Sequence, residues 1–202
     1  MIIGLTGVAQ SGKSSVAHIL VNKYGFKQYS FAEGVYESLY RLDPHVLVVD
    51  EKNNSHYYPK LRSLVDEYGW DEAKRHKSVR ELLQRIGTEC GRDLHGEDVW
   101  VDRTFDKIKE DCNFMFEKSF LKVKTDIVIA DVRFDNEASR IKWYGGHVIG
   151  VDRGIGPVNY HKSEAGVNSA LVDGEIGNGG TLADLEYNVE KMLEFIGYEK
   201  NI

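Results

Sequence analysis

Cysteine is scarce. Cys90 and Cys112 are the only two in 202 residues, each stands alone, and no CxxC pair occurs. That excludes a disulfide framework and a cysteine-based zinc site, and it suits a reducing compartment. Both thiols read as small buried hydrophobes. Long apolar runs are also missing: nothing approaches the roughly 18 residues of a membrane-spanning helix. The opening Met1-Ile2-Ile3 leads straight into glycine-punctuated sequence, without the basic and apolar segments of a signal peptide. These absences predict a cytoplasmic protein with no membrane partner. Nor is there a surplus of positive charge. The formal net charge of -6 speaks against a nucleic-acid polymer as partner. Internal repeats and low-complexity stretches are absent too. What remains, 42% hydrophobic and 29% charged residues, suits one soluble domain with a sizeable core, or one domain carrying a small insert.

Five short apolar runs read as strands: Ile2–Leu5, Gln28–Phe31, Asp126–Ala130, His147–Val151 and Ala170–Ile176. The run Ile127-Val128-Ile129-Ala130 is apolar without alternation, as expected of a strand covered on both faces. Helical spacing follows the first glycine-rich turn (Val16, Ile19, Leu20) and separates the third and fourth strands (Ala138, Ile141), ending at Gly145-Gly146. It returns at Leu182, Leu185, Val189, Met192, Leu193 and Ile196, where Thr181 reads as N-cap and Asp184 completes a variant capping box. The alternation predicts an α/β fold with three layers, a five-stranded parallel sheet with helices on both faces. Val79 to Phe120 lacks strand signals and reads as two consecutive helices. The expected organisation is a single domain over 1–202. It carries an irregular excursion, a candidate hairpin, at 43–60, a helical insert at 78–120 and a lid at 153–166.

Gly7-Val8-Ala9-Gln10-Ser11-Gly12-Lys13-Ser14 matches G-x-x-x-x-G-K-[ST] in full. The chemistry explains the pattern. Glycines let successive N–H groups turn inward around an anion, and the helix starting at Lys13 points its positive end at the same phosphates. Lys13 reaches the β- and γ-phosphates, and the Ser14 hydroxyl ligates Mg²⁺. Gly7, Gln10, Ser11, Gly12, Lys13, Ser14 and Ser15 are therefore the candidate ATP-binding residues. A switch of the form D-x-x-G and a guanine-reading N-K-x-D, which a GTPase needs, are both missing. Asp131 is followed by Val132-Arg133-Phe134 rather than by a second acid. These absences point to a small-molecule kinase.

Three further clusters bear on the acceptor. Asp131 and Arg133 follow a strand end, where ligands of open α/β sheets collect. Asp131 suits water-mediated Mg²⁺ and Arg133 a bidentate phosphoryl clamp, or else they cap the next helix and form a surface ion pair. Arg85, Thr88 and Arg92 share one helical face, with Arg80, Gln84, Gly87 and Gly91 beside it. Glycine inside a helix costs about 1 kcal/mol relative to alanine, so two of them suggest close approach by a ligand or another backbone. Here arginines suit an acceptor phosphate, and Gln84, Asp93 and Trp100 suit a base; the alternative is a solvated face with Trp100 in the core. Arg153-Gly154-Ile155-Gly156-Pro157 follows the fourth strand as a candidate lid, with Arg153 its cation on the transferring group.

With these segments placed, the chain resembles the phage deoxynucleoside monophosphate kinases, a branch of the P-loop nucleoside monophosphate kinase fold. The resemblance rests on Gly4-Leu5-Thr6-Gly7, Ser30-Phe31-Ala32, the block Glu81 to Glu89 and Gly91-Arg92-Asp93. It continues through Glu97 to Asp102, Asp131 to Phe134 with Asn136-Glu137, His161 to Glu164 and Asn178 to Leu182. It implies Mg²⁺-dependent phosphorylation of a deoxynucleoside monophosphate by ATP. Gln84, Arg92 and Trp100 would line the acceptor site, and Asn178 to Thr181 would lie near the adenine. A homodimer is compatible with the family, although the chain shows no interface signature. Relatives usually follow the Phe-Ala pair with a proline and a lysine near the acceptor phosphate, whereas Glu33-Gly34-Val35-Tyr36 stands here, leaving that charge to Arg80 or Arg92. Competing expectations are a dephospho-coenzyme A or phosphomevalonate type kinase, and a nucleotide-gated regulatory protein without an acceptor.

Overall fold

The computed structural model describes residues 1–50, 55–112, 125–154 and 166–199. It divides into two compact units, Met1–Phe31 with Arg103–Ile202, and Ala32–Asp102.

The first unit is built on β1 (Ile2–Thr6), β2 (Lys27–Tyr29), β5 (Ile127–Ile129), β6 (His147–Asp152) and β7 (Gly174–Gly177). All pair in parallel, in the order β2-β5-β1-β6-β7. One face carries α1 (Lys13–Tyr24) and α8 (Leu182–Phe195), whose Val16, Ile19, Leu20, Leu185, Val189 and Leu193 pack on Ile3, Leu5, Val128, Ile149 and Val151. The other face carries α7 (Asp135–Trp143) and the part of α6 (Val99–Asp111) that belongs to this unit; Phe105 stacks on Tyr144 at 4.5 Å. Gly4 is required there, because a Cβ on it would collide with Ile141. The three-layer α/β fold is thus present, with β5 fully buried as its unbroken apolar run predicted, and β1 beside it equally buried.

Two expectations need correction. The run Ala170–Ile176 is not all strand: Ser169–Leu171 is a 3₁₀ turn capped by the Asn168 side chain, and only Gly174–Gly177 pairs. Asp173 marks the entry to that strand. Its N–H donates to Val148 O (2.8 Å), and its carboxylate accepts from Lys142 Nζ and from Val148 N (2.9 Å), so its side chain anchors the start of the pairing. Cys90 is exposed and not a core residue, whereas Cys112 is partly buried.

The second unit contains α2 (Glu33–Leu42), the antiparallel pair β3 (Val48–Asp50) and β4 (Ser55–Tyr57), α3 (Leu61–Ala73) and α4 (Lys77–Arg85). A π-helical segment, Ile86–Arg92, and the short α5 (Asp93–His95) complete the rod that α4 begins. Leu39, Val46, Val48, Leu61, Leu64, Ala73 and Val79 form its core. The irregular stretch 43–60, with its candidate hairpin, contains this antiparallel pair, and residues 51–54 lie outside the described residues. The rod ends at Gly96, whose φ of 101° no L-residue adopts readily, and α6 starts three residues later. This unit is wider than the 78–120 stretch read as an insert, of which residues 113–120 lie outside the described ones. No helix among the described residues is long and apolar enough to cross a membrane.

Candidate active site

The loop Gly7–Gly12 leaves β1 at the carboxyl edge of the sheet and turns into α1. Three residues adopt positive φ: Gly7 (141°), Gln10 (65°) and Gly12 (105°). For Gln10 that is a strained conformation, of the kind that survives where function requires it. Glycine is needed on either side of it. A Cβ on Gly7 would strike the Val151 carbonyl oxygen, and one on Gly12 would strike the side-chain amide of Asn178. Gly12 is the N-cap of α1, and the first turn of that helix holds no acidic residue, so its positive end is uncompensated by carboxylates. Lys13 Nζ donates to the carbonyls of Gly7 (2.6 Å) and Val8 (2.8 Å), folding its ammonium over the loop. Ser14 and Ser15 are exposed at the helix start. Ser11 Oγ is fully buried and is a hydroxyl without a hydrogen-bond partner among the described residues. Buried polar atoms are almost always paired, which sets this hydroxyl apart from the rest of the described residues.

Asp131 stands just past β5, beside β1 in the sheet. It accepts from Ser30 Oγ (2.7 Å) and from Phe31 N (2.9 Å), which ties the ends of β2 and β5 together. Arg133 is exposed, and its backbone is fixed by a residue that sequence reasoning left without a role. Glu137, 2% exposed, accepts from Arg133 N (2.7 Å) and Phe134 N (3.2 Å) through one carboxylate oxygen. A buried carboxylate three residues into α7 orders the loop that carries Asp131 and Arg133. Its capping position was a usable signal. Arg153 follows β6 in an exposed turn closed by Gly154 N donating to Asp152 Oδ1 (2.9 Å). Of the stretch 153–166 read as a lid, residues 155–165, including His161 to Glu164, lie outside the described residues.

Asn178 and Thr181 separate in role. Asn178 Nδ2 donates to Ser11 O at 2.8 Å, so it touches the phosphate loop itself. Thr181 caps α8 as expected, and Asp184 accepts from both its backbone N–H (2.8 Å) and its hydroxyl (2.7 Å). These bonds hold the Asp184 carboxyl below the usual range, the hydroxyl contributing most.

The second unit gathers the remaining candidates along the rod 77–95. Gln84, Thr88 and Asp93 are exposed and Arg92 is half-buried. The π segment breaks the period of 3.6 on which the faces Arg85–Thr88–Arg92 and Arg80–Gln84–Gly87–Gly91 were drawn, so those groupings do not carry over. Arg85 pairs with Glu89 at 3.3 Å. Arg80 donates to the carbonyls of Lys74 and Arg75, both at 2.8 Å, closing the end of α3. Trp100 accounts for one of the two glycines. A Cβ on Gly91 would come within 2.5–2.7 Å of its indole ring, whereas Gly87 only accepts from Trp100 Nε1 through its carbonyl (2.8 Å), and a Cβ there would meet Val35 at an ordinary 3.7 Å.

Comparison with known proteins now bears on this arrangement. The family model for deoxynucleotide monophosphate kinase matches residues 43–189. A protein of Acanthamoeba polyphaga mimivirus named deoxynucleotide monophosphate kinase is 30% identical over 176 residues, 84% of this chain and 83% of its own length. The deoxynucleoside-5'-monophosphate kinase of Escherichia phage T5 is 29% identical over 124 residues, 59% of this chain and 38% of the phage protein. Among solved structures, shikimate kinase from Bacteroides thetaiotaomicron aligns over 97% of this chain and 98% of that one, at 11% identity and a TM-score of 0.41. With a model matched across most of its length and a relative of this identity and coverage, the chain belongs to the deoxynucleotide monophosphate kinase family.

Proposed function

We propose that the chain transfers the γ-phosphoryl group of ATP to a deoxynucleoside monophosphate, giving the diphosphate and ADP. The observation that carries this reading is the cradle at Gly7–Ser14, with its positive-φ glycines, its lysine folded over the loop and its orphaned Ser11 hydroxyl. In the reaction an oxygen of the acceptor's own phosphate attacks the γ-phosphorus while the bond to the ADP oxygen breaks. That nucleophile is already ionised, so no general base is required, and catalysis is positioning and charge neutralisation. Lys13, Arg133 and Arg153 are the cations we assign to the transferred group. Gln84, Thr88, Arg92, Asp93 and Trp100 are assigned to the acceptor, with Arg80 available only if it leaves the α3 carbonyls.

Mg²⁺ fits the donor set. Among the described residues no group of three acidic, histidine or cysteine side chains forms a metal cage. Mg²⁺ in phosphoryl transfer does not require one, being held by one or two protein oxygens, waters and phosphates. The Ser14 hydroxyl and the Asp131 carboxylate are the oxygens we assign to it, and the ion would neutralise charge on the β- and γ-phosphates. A cytoplasmic location and a homodimer belong to the same reading.

A coupled ADP-release assay across deoxy- and ribonucleoside monophosphates, with dephospho-coenzyme A and phosphomevalonate beside them, tests the proposal. Turnover that rises with a deoxynucleoside monophosphate is the expected result. Turnover with dephospho-coenzyme A or phosphomevalonate in its place, or ATP hydrolysis indifferent to every acceptor, would overturn it.

A further inference from the structure

Asn178 follows β7 directly. Its backbone N–H donates to the carbonyl of Asp152, at the end of the neighbouring strand, at 2.6 Å. The residue is therefore fixed to the sheet edge before its side chain is considered. That side chain then donates through Nδ2 to Ser11 O at 2.8 Å, and its amide fills the space that any side chain at position 12 would need. In a trans peptide the C=O of one residue and the N–H of the next point in opposite directions. Holding the Ser11 carbonyl therefore fixes where the Gly12 N–H points. The Ser11 hydroxyl, buried and without a partner among the described residues, belongs to the same residue.

We propose that Asn178 is a positioning residue of the phosphate cradle, acting on the donor's triphosphate through the Ser11–Gly12 peptide and not on its base. This differs from the place beside adenine that the family resemblance implied for it. It rests on the kinase reading only in taking the cradle to hold a polyphosphate. If Asn178 read the base, its loss would weaken ATP alone. Because it braces the loop, its loss weakens every ligand held by phosphates.

The test compares ATP, GTP and inorganic tripolyphosphate by titration calorimetry, without acceptor, on the wild-type chain, Asn178→Ala and Asn178→Leu. Leucine keeps the branched shape and removes the donor, so the comparison survives if alanine perturbs folding; thermal melts check both. All three ligands should weaken by a common factor of about ten, the loss of one hydrogen bond to a loop that must stay ordered. KM for the acceptor should not move. Unchanged tripolyphosphate affinity, or a loss confined to ATP, would overturn the inference. A wild-type chain that bound none of the three would instead sink the kinase reading, and this inference with it.

Discussion

Lys13 is held by two loop carbonyls, Gly7 O and Val8 O, so its charge serves the loop as well as any ligand. The first contact is exposed and the second only part-buried, so losing them should scarcely affect folding. Lys13→Ala should therefore lower turnover by about 10²–10³, as for other preorganised charges at a reacting group, while the thermal melt stays in place; steady-state kinetics beside a melt checks both halves. Asp173 works at the opposite edge of the sheet. Burial raises its pKa, but the Lys142 hydrogen bond and the Val148 N–H outweigh that and leave it below the usual carboxylate value. A depressed pKa stabilises the fold above the unfolded value, about 3.9, and that contribution disappears as pH falls through the folded value. Urea melts at neutral pH and near pH 3 should show wild type losing more stability than Asp173→Asn. Equal losses would remove Asp173 from the acid response.

At the scale of elements, the π segment Ile86–Arg92 is the feature with the clearest cost of disturbance. Gly91 lies under the Trp100 indole, and overpacking there should destabilise Gly91→Ala by about 1–3 kcal/mol, read by chemical denaturation. The five strands, the phosphate loop and the capped α8 were legible because each is a local pattern: an apolar run, a glycine-lysine signature, a Thr-x-x-Asp box. The π turn was not, since an extra residue in a helical turn leaves no composition signal and shifts every face drawn at 3.6. α2 escaped notice because Gly34 stands in its first turn, where glycine reads as a loop residue and not as a helix start. α3 escaped because Gly69 interrupts it with φ 78°. The arginine cluster was visible, but which arginines serve as fasteners was not. Arg80 and Arg85 show this, since their partners lie on backbone carbonyls and a nearby glutamate. Glu137 was quoted in the resemblance, yet its burial, and hence its hold on Arg133 and Phe134, is a tertiary fact.

At the scale of the whole molecule, the candidates for the two reactants divide between the two compact units. The phosphate loop, Asp131, Arg133 and Arg153 lie in the first, whereas Gln84, Thr88, Arg92, Asp93 and Trp100 lie in the second. Arg92→Ala should accordingly raise the acceptor KM by about tenfold or more while leaving ATP affinity unchanged, a split that full kinetics with both substrates varied would reveal.

The proposed reaction is direct transfer between two bound phosphates, and γ-labelled ATP follows the group that moves. In a single turnover with a deoxynucleoside monophosphate, the label should appear in the terminal phosphoryl of the diphosphate formed. Label recovered as inorganic phosphate, at a rate indifferent to the acceptor, would contradict it.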